Sequence, residues 1–369
     1  MFNYNEIKKI HVELSTLCNA ACPVCPRNVM GGYDQPYIKH NTFTFDDFLD
    51  IFDPEFISKL TQILLVGRYG DPMSCQDLNK ILEYIRTHNK TVNIIIHTNG
   101  GLRNPDWWQQ LASYDTNVIF SIDGLEDTNH IYRRNVNWNK LMTNVAAYIN
   151  AGGIARWEFL IFKHNQHQTD RAKEYADELG FVEFIPKRPY GFNNPLTSVP
   201  AINVIDNDGK FEYFVMPGDD DFVNKPFDSE KIDLVKHDCE YNKYITTKIK
   251  SKNAHINSRS WDNKINCHAI KQKEIYIDAL YNVFPCCWFG FGGQSDVLHD
   301  PEELQFVKWL QENIGIDNIN AKKYSLKQII ESDYFKKIKQ TWDTDSKFYT
   351  CATMCSMKNN LRKGLRIES

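Results

Sequence analysis

Three cysteines near the start of the chain constrain its fold more than any other feature. Cys18, Cys22 and Cys25 have the spacing Cys-x3-Cys-x2-Cys, and no fourth Cys or His follows closely. A closed structural site for zinc or for an iron–sulfur cluster takes four protein ligands. The triplet therefore predicts an iron–sulfur cluster with one open iron, which a substrate or cofactor completes. A structural zinc half-site is the alternative.

The residues before the triplet predict a β-strand. Residues 7–14 alternate loosely between polar and apolar side chains and include β-branched residues. In parallel α/β folds, ligands bind beyond the carboxyl ends of the strands, because the loops there vary without disturbing the strands. We therefore expect the cysteine loop at the carboxyl edge of a sheet.

Three later strands end in polar motifs. The apolar runs 63–66, 92–96 and 118–120 lead into Gly67-Arg68-Tyr69-Gly70-Asp71-Pro72, His97-Thr98-Asn99-Gly100 and Ser121-Ile122-Asp123-Gly124. With the cysteine triplet, these motifs make the chain similar to radical S-adenosylmethionine (SAM) enzymes. The first motif resembles the Gly-Gly-Glu-Pro loop that holds the amino group of SAM in that family. Tyr69 stands in place of its first Gly, and Asp71 in place of its Glu.

The resemblance implies a role for each matching residue. Ser121 and Asp123 would face the ribose and the methionine carboxylate of SAM. Arg133 would pair with that carboxylate through its planar guanidinium. The SAM-binding residues predicted in this way are Tyr69, Gly70, Asp71, Asn99, Ser121, Asp123 and Arg133. For Asp71, Ser121 and Asp123 the alternative role is as loop caps and turn formers.

Strands alternate with helices through the first half of the chain. Two further strands are predicted at residues 156–162 and 182–186, and helical patterns fill residues 46–60, 78–88, 106–113, 139–151 and 171–179. This alternation requires parallel pairing with right-handed crossovers. We predict an α/β fold: a partial (β/α)6 radical SAM barrel over residues 1–190, an irregular connection or insertion over 191–260, and a smaller C-terminal α+β domain over 261–369.

Cysteines become frequent again near the end of the sequence. Cys267 precedes a predicted β-hairpin that ends at Cys286 and Cys287, and a helical span leads to Cys351 and Cys355. This order resembles the auxiliary-cluster domain called SPASM or, when shortened, twitch. It implies a second, auxiliary [4Fe-4S] cluster on Cys267, Cys286, Cys351 and Cys355. Zinc is the alternative metal, and Cys287 is the alternative to Cys286.

Other residues carry weaker signals. Cys75 is predicted to be a buried apolar residue, and Cys239 a spare ligand or a surface thiol. His97 is predicted to be a polar residue that lines the pocket. The acidic run at residues 218–221 is predicted to be a solvated turn, because it lacks the spacing of a calcium-binding loop.

Composition excludes several classes of function. The net charge of −4 gives no footprint for nucleic acid, which is not expected as a partner, although Lys187 and Arg188 could touch a phosphate. No apolar run is long enough to span a membrane, and the start lacks the apolar core of a signal peptide, so a cytoplasmic protein is expected. In a reducing compartment, the ten cysteines favour metal ligands or buried thiols over disulfides.

The resemblance implies a radical SAM enzyme of the oxidoreductase or peptide-modifying type. A reduced [4Fe-4S] cluster on the N-terminal triplet would cleave SAM to a 5′-deoxyadenosyl radical, which abstracts hydrogen from a substrate. The implied partners are SAM, an electron donor such as flavodoxin or ferredoxin, and a peptide or protein side chain as substrate. A nucleotide or small-molecule substrate is one alternative. A non-catalytic iron–sulfur scaffold is the alternative from another class.

Overall fold

The computed structural model describes residues 3–189, 201–219, 264–290, 301–344 and 347–355. The strands in these ranges are β1 (Lys9–Val12), β2 (Gln62–Leu65), β3 (Asn93–Thr98), β4 (Thr116–Ser121), β5 (Ile154–Leu160), β6 (Glu183–Lys187), β7 (Ile202–Ile205), β8 (Phe211–Val215), β9 (Glu274–Ile277) and β10 (Val283–Phe284). Eight of them form one sheet in the order β10-β9-β1-β2-β3-β4-β5-β6, and β7 and β8 pair separately.

Strands β1 to β6 lie side by side in sequence order, and each neighbouring pair is parallel. Parallel neighbours require crossovers, which helices supply here. The helices are Phe45–Ile51, Pro54–Ser58, Leu78–His88, Pro105–Ala112, Asn129–Tyr132, Trp138–Asn150 and Thr169–Leu179. This confirms the predicted partial (β/α)6 barrel.

Side chains on the strands alternate between two faces of the sheet. In β4, Val118 and Phe120 are fully buried, and the Phe120 ring packs against Trp108 and Tyr148 of the surrounding helices. Ser121 is only partly buried and lies on the opposite face, because successive side chains of a strand point to opposite sides. The inner face at the carboxyl ends of the strands therefore carries polar groups.

The single helix predicted over residues 46–60 is wrong, because two helices occupy this stretch. The first ends at Ile51, and the second begins at Pro54 with the Asp53 side chain accepting a hydrogen bond from Phe56 N at 2.8 Å. Proline lacks an N–H group and fits the first position of a helix, whereas within a helix it breaks the hydrogen-bonding pattern. Asp53 and Pro54 thus start a new helix.

The predicted hairpin after Cys267 is confirmed and extends the barrel sheet. Strand β10 pairs antiparallel with β9, and β9 pairs parallel with β1. The C-terminal part of the chain therefore covers the edge of the first barrel strand. Its helices in the described ranges are His268–Gln272, Cys287–Gly290, Pro301–Asn313, Leu326–Glu331, Asp333–Gln340 and Tyr349–Met354.

The stretch 191–260, expected to be irregular, contains regular structure in its described part. Strands β7 and β8 form an antiparallel hairpin that packs against the cysteine loop. Ile205 N donates to Met30 O at 3.1 Å, and Arg134 Nη1 donates to the Tyr213 hydroxyl at 3.0 Å. Cys239 and the domain boundaries near residues 190 and 260 lie outside the described residues. Across the described ranges, none of the helices has the length and apolar character needed to cross a membrane.

Candidate functional site

The loop that follows β1 carries Cys18, Cys22 and Cys25, which we call the N-terminal cysteine set. Burial raises the pKa of all three thiols, that of Cys25 to about 12, and the Cys22 thiol further raises the pKa of both others. Such mutual effects require the three thiols to lie near one another. The loop lies at the carboxyl end of the sheet, as the sequence predicted.

A buried arginine holds this loop in shape. Arg27 Nη2 forms an ion pair with Asp34 Oδ2 at 2.7 Å, and Arg27 Nε donates to Thr16 O at 3.3 Å. Its Nη1 group donates to Ala20 O at 3.5 Å. One planar cation thus ties together three separate points of the loop.

Two side-chain N–H groups point at sulfur atoms of the N-terminal set. Asn99 Nδ2 donates to Cys18 Sγ at 3.5 Å, and Arg133 Nη1 donates to Cys22 Sγ at 3.6 Å. Hydrogen bonds of this kind stabilise thiolates and influence the potential of iron–sulfur clusters. Three neighbouring thiols with donors on two of them fit a cluster bound through three cysteines.

Within the described ranges, no three His, Cys, Asp or Glu side chains converge as ligands of a single metal ion do. In an iron–sulfur cluster, each thiolate binds a different iron. The ligands of such a cluster surround a volume and need not meet at one point.

Asp71 and Asn99 connect the loop after β2 with the loop after β3. Asp71 is 5% exposed, and its carboxylate accepts hydrogen bonds from the hydroxyl of Thr98, from Asn99 N and Nδ2, and from Met73 N, at 2.8 to 3.0 Å. Asn99 Nδ2 also contacts Asn19 Oδ1 at 3.0 Å. The Asp71 carboxylate is therefore committed to holding these loops together.

Asp123 and Arg133 form a buried ion pair beside Cys22. Asp123 Oδ2 lies 2.6 Å from Arg133 Nε, and Asp123 Oδ1 accepts a hydrogen bond from Leu160 N at 2.6 Å. The Asp123 side chain has no exposed surface. Burial raises its pKa to about 6, against the opposing effect of Arg133. This pair fixes the orientation of the guanidinium at the edge of the site.

The inner face of the barrel continues from Ser121 to a second ion pair. Glu158 lies opposite Ser121 in the register of β4 and β5 and pairs with Lys187 at the end of β6. His97 lies near both groups, and burial lowers its pKa. Lys187, which the sequence suggested as a phosphate contact, is thus neutralised by Glu158. That His97 lines a pocket stays a prediction.

Glu13, for which the sequence predicts only a place in the first strand, lies beneath the loop after β2. It is 1% exposed, and its Oε1 accepts hydrogen bonds from Tyr69 N at 2.7 Å and Gly70 N at 3.2 Å. Its Oε2 accepts a hydrogen bond from the Tyr276 hydroxyl at 2.9 Å. Burial raises the pKa of Glu13 to about 7. An acidic residue at an inward position of a predicted strand was the available signal.

Four cysteines from three separate segments also lie near one another, and we call Cys267, Cys286, Cys351 and Cys355 the C-terminal cysteine set. The pKa of Cys267 is raised by three effects, in decreasing order: a hydrogen bond to Cys355, burial, and the Cys286 thiol. Burial and then the Cys286 and Cys355 thiols raise that of Cys351. Burial raises the pKa of Cys287 to about 12, with Glu274 and Cys355 contributing. Cys286 thus interacts with both ends of the set.

Two aromatic side chains with polar groups lie near this set. The Tyr334 hydroxyl is buried and has no hydrogen-bond partner among the described residues, and burial and then the Cys286 thiol raise its pKa. The Trp342 indole lies beside Cys351 and acts to lower the pKa of its thiol. Cys75, by contrast, is fully buried and donates to Phe43 O at 3.3 Å, as predicted for a residue of the core.

The chain is similar to one family model and to several solved structures. Residues 12–174 match the family model described as the Radical SAM superfamily. No curated protein sequence matches. Among solved structures, "Native anSMEcpe with bound AdoMet" is 14% identical with a TM-score of 0.49, covering 91% of this chain and 84% of that one. "Crystal structure of Streptococcus suis SuiB bound to S-adenosylmethionine" is 15% identical with a TM-score of 0.48, covering 93% and 76%.

Both structures have TM-scores below 0.5, so the assignment rests on the family match. That match runs from the last residue of β1 past β5 and includes the N-terminal cysteine set, Asp71, Asn99, Asp123 and Arg133. Residues 12–174 of this chain are a domain of the radical SAM superfamily.

Proposed function

We propose that this protein binds SAM at a [4Fe-4S] cluster on the N-terminal cysteine set and uses it to remove hydrogen from a peptide or protein side chain. When bound and reduced, the cluster and SAM together supply a 5′-deoxyadenosyl radical. The observation that carries the proposal is the approach of Asn99 and Arg133 to the sulfur atoms of three neighbouring cysteines, within the residues that match the family.

In this proposal, the ion pair of Asp123 and Arg133 orients the guanidinium for the methionine carboxylate. Asp123 is fully buried, so it acts through Arg133 rather than on SAM directly. Ser121 lies on the inner face of β4, where a ribose hydroxyl would lie within its reach. These side chains bind and orient SAM, and none of them needs to transfer a proton.

The loop Tyr69–Gly70–Asp71 would hold the amino group of SAM through its backbone carbonyls. The Asp71 carboxylate holds Thr98, Asn99 and Met73, so we assign it a positioning role. The shorter side chain that replaces the Glu of the family pattern thus serves the loop itself. Asp71→Ala should weaken SAM binding by opening this loop.

The C-terminal cysteine set would hold the second [4Fe-4S] cluster. Four partly or fully buried thiols from three segments suit a cluster in which every iron has a protein ligand. The electrostatic influence of the Cys286 thiol on both Cys267 and Cys351 favours Cys286 over Cys287 as the fourth ligand. The resemblance of this region to auxiliary-cluster domains is what favours a peptide over a nucleotide as the substrate.

The test is the formation of 5′-deoxyadenosine from SAM by the anaerobically reconstituted protein with a strong reductant. The expected result is product that the natural protein forms and the Cys22→Ala variant does not. A full iron and sulfide content with neither product nor SAM binding would contradict the proposal. The substrate class is then tested with peptides containing Cys, Ser or aromatic residues, which should increase the rate of product formation; stimulation by nucleotides alone would contradict the peptide assignment.

A further inference from the structure

Glu13 fixes the direction in which the loop after β2 presents its carbonyl groups. One carboxylate oxygen accepts hydrogen bonds from two consecutive amides, Tyr69 N and Gly70 N. In a trans peptide, the N–H and the C=O point in opposite directions. The carbonyls of Arg68 and Tyr69 therefore point away from Glu13. The Arg68 carbonyl indeed faces Cys25, whose Sγ lies 3.9 Å away.

The loop and Glu13 are in close contact, which leaves little room for another arrangement. A Cβ atom at Gly67 would lie 2.5 Å from Glu13 Oε1. A Cβ atom at Gly70 would lie 1.8 Å from Ser15 O, at the start of the cysteine loop. Both distances are far below normal van der Waals contact, so glycine is required at both positions.

The second oxygen of Glu13 is held by a residue from the C-terminal part of the chain. Tyr276 lies on β9 and is fully buried, and its hydroxyl donates a hydrogen bond to Glu13 Oε2 at 2.9 Å. Its ring packs edge-on against His11, with 4.7 Å between the ring centroids.

The helix that carries Cys287 lies directly on the other side of this ring. A Cβ atom at Gly290 would lie 2.0 Å from the Tyr276 ring. Tyr276 therefore connects the helix beside the C-terminal cysteine set to Glu13, and Glu13 connects it to the loop after β2.

We propose that Glu13 and Tyr276 are positioning residues for SAM, through which the C-terminal strand β9 holds the amino-group loop in its binding geometry. This inference rests on the proposed function, since it assumes that SAM binds at this loop. Neither residue touches SAM. Without the carboxylate, the buried amide of Tyr69 and the partly buried amide of Gly70 would lose their acceptor, and a buried donor without a partner is costly.

The test compares two buried tyrosines that each lose only a hydroxyl. Tyr276→Phe should weaken SAM binding to the reconstituted protein about tenfold, the upper end of the effect expected from the loss of one hydrogen bond. Tyr148→Phe is the matched control, because its hydroxyl is also fully buried and donates to Thr116 O at 2.5 Å on the helical side of the barrel. Its SAM affinity, measured by equilibrium dialysis, should equal that of the natural protein.

Two variants of Glu13 complete the experiment. Glu13→Gln keeps an acceptor for the amides and should retain most of the SAM affinity, whereas Glu13→Ala should lose more than Tyr276→Phe. Equal SAM affinity in the natural protein, Tyr276→Phe and Glu13→Ala would overturn the inference. If the natural protein itself bound no SAM, the proposed function would fail instead. If Glu13→Ala does not fold, the comparison of Tyr276→Phe with Tyr148→Phe still decides.

Discussion

The N-terminal cysteine set comes from one loop of eight residues, whereas the C-terminal set is assembled from segments between residues 267 and 355. Their surroundings differ as well. Around the first set lie an amide and a guanidinium, on Asn99 and Arg133. Around the second lie aromatic side chains, with the buried hydroxyl of Tyr334 and the indole of Trp342.

This difference corresponds to two kinds of metal centre. A cluster with an open iron must also bind a charged cofactor, so it needs fixed charges and donors close by. A cluster with four protein ligands needs only enclosure and a few hydrogen bonds. The N-terminal cysteine set has the surroundings of a cluster with an open iron, and the C-terminal set has those of a cluster with four protein ligands. The predictions below test this contrast.

The largest expected effect separates two adjacent cysteines. Cys286→Ala should remove the whole C-terminal cluster, about four iron atoms per chain for a [4Fe-4S] centre. Cys287→Ala is the matched control and should leave the iron content unchanged, because Cys286 is the thiol that acts on both Cys267 and Cys351. Iron and sulfide analysis measures both. Loss of iron in Cys287→Ala alone would reverse the ligand assignment.

The buried charges of the N-terminal site predict the next effect. Arg133→Ala should lower the free energy of unfolding by about 3–5 kcal/mol, because it leaves Asp123 buried without its partner. Chemical denaturation of the cluster-free protein measures this. Arg171→Ala removes an exposed arginine that pairs with Glu178, and it should cause no measurable change in the free energy of unfolding. Similar losses in the two variants would contradict the role of Arg133.

Glu13 predicts a pH dependence of stability. Its pKa in the folded protein is about 7, raised from 4.5, so between these values the folded state holds a proton that the unfolded state has lost. The contribution of Glu13 to the free energy of unfolding is fully present below about pH 4.5 and is lost as the pH rises through 7. From pH 5 to pH 8, the free energy of unfolding of the natural protein should fall by about 3 kcal/mol more than that of Glu13→Gln.

Urea denaturation of cluster-free protein at both pH values checks this prediction. Because Glu13→Gln cannot titrate at this position, the difference between the two proteins isolates Glu13 from other groups. A natural protein that gains stability relative to the variant as the pH rises would contradict the burial of this carboxyl group.

The smallest expected effect concerns the aromatic surroundings of the C-terminal set. Removing a hydrogen-bond donor from a cluster makes reduction harder. Tyr334→Phe should therefore lower the potential of the C-terminal cluster by about 50 mV, which corresponds to one hydrogen bond of about 1 kcal/mol. The N-terminal cluster in the same sample serves as the control. If only the potential of the N-terminal cluster shifted, the assignment of Tyr334 to the C-terminal cluster would be contradicted.

The sequence predicted what depends on local pattern. The order of strands, the position of the cysteine loop and the polar strand ends followed from apolar runs and short motifs. The break between Ile51 and Pro54 was also readable, because Asp53 and Pro54 form a helix-start signal, although the apolar pattern concealed it.

What the sequence could not predict depends on contacts between distant residues. Strand β9 pairs with β1, and Tyr276 reaches Glu13, over 263 positions of the chain. No local pattern specifies such a partner, because any strand with suitable side chains could cover the edge of β1. The hydrogen bonds from Thr98 and Asn99 to Asp71 likewise form only when the fold brings two loops together.

The most direct test of the two-centre account uses a variant in which Cys18, Cys22 and Cys25 are all replaced by Ala. After anaerobic reconstitution, its iron content and its electron paramagnetic resonance spectrum in the reduced state are measured with and without SAM. The account predicts about four iron atoms per chain and a spectrum that SAM does not change. A spectrum that still responds to SAM, or a variant that binds no iron at all, would contradict it.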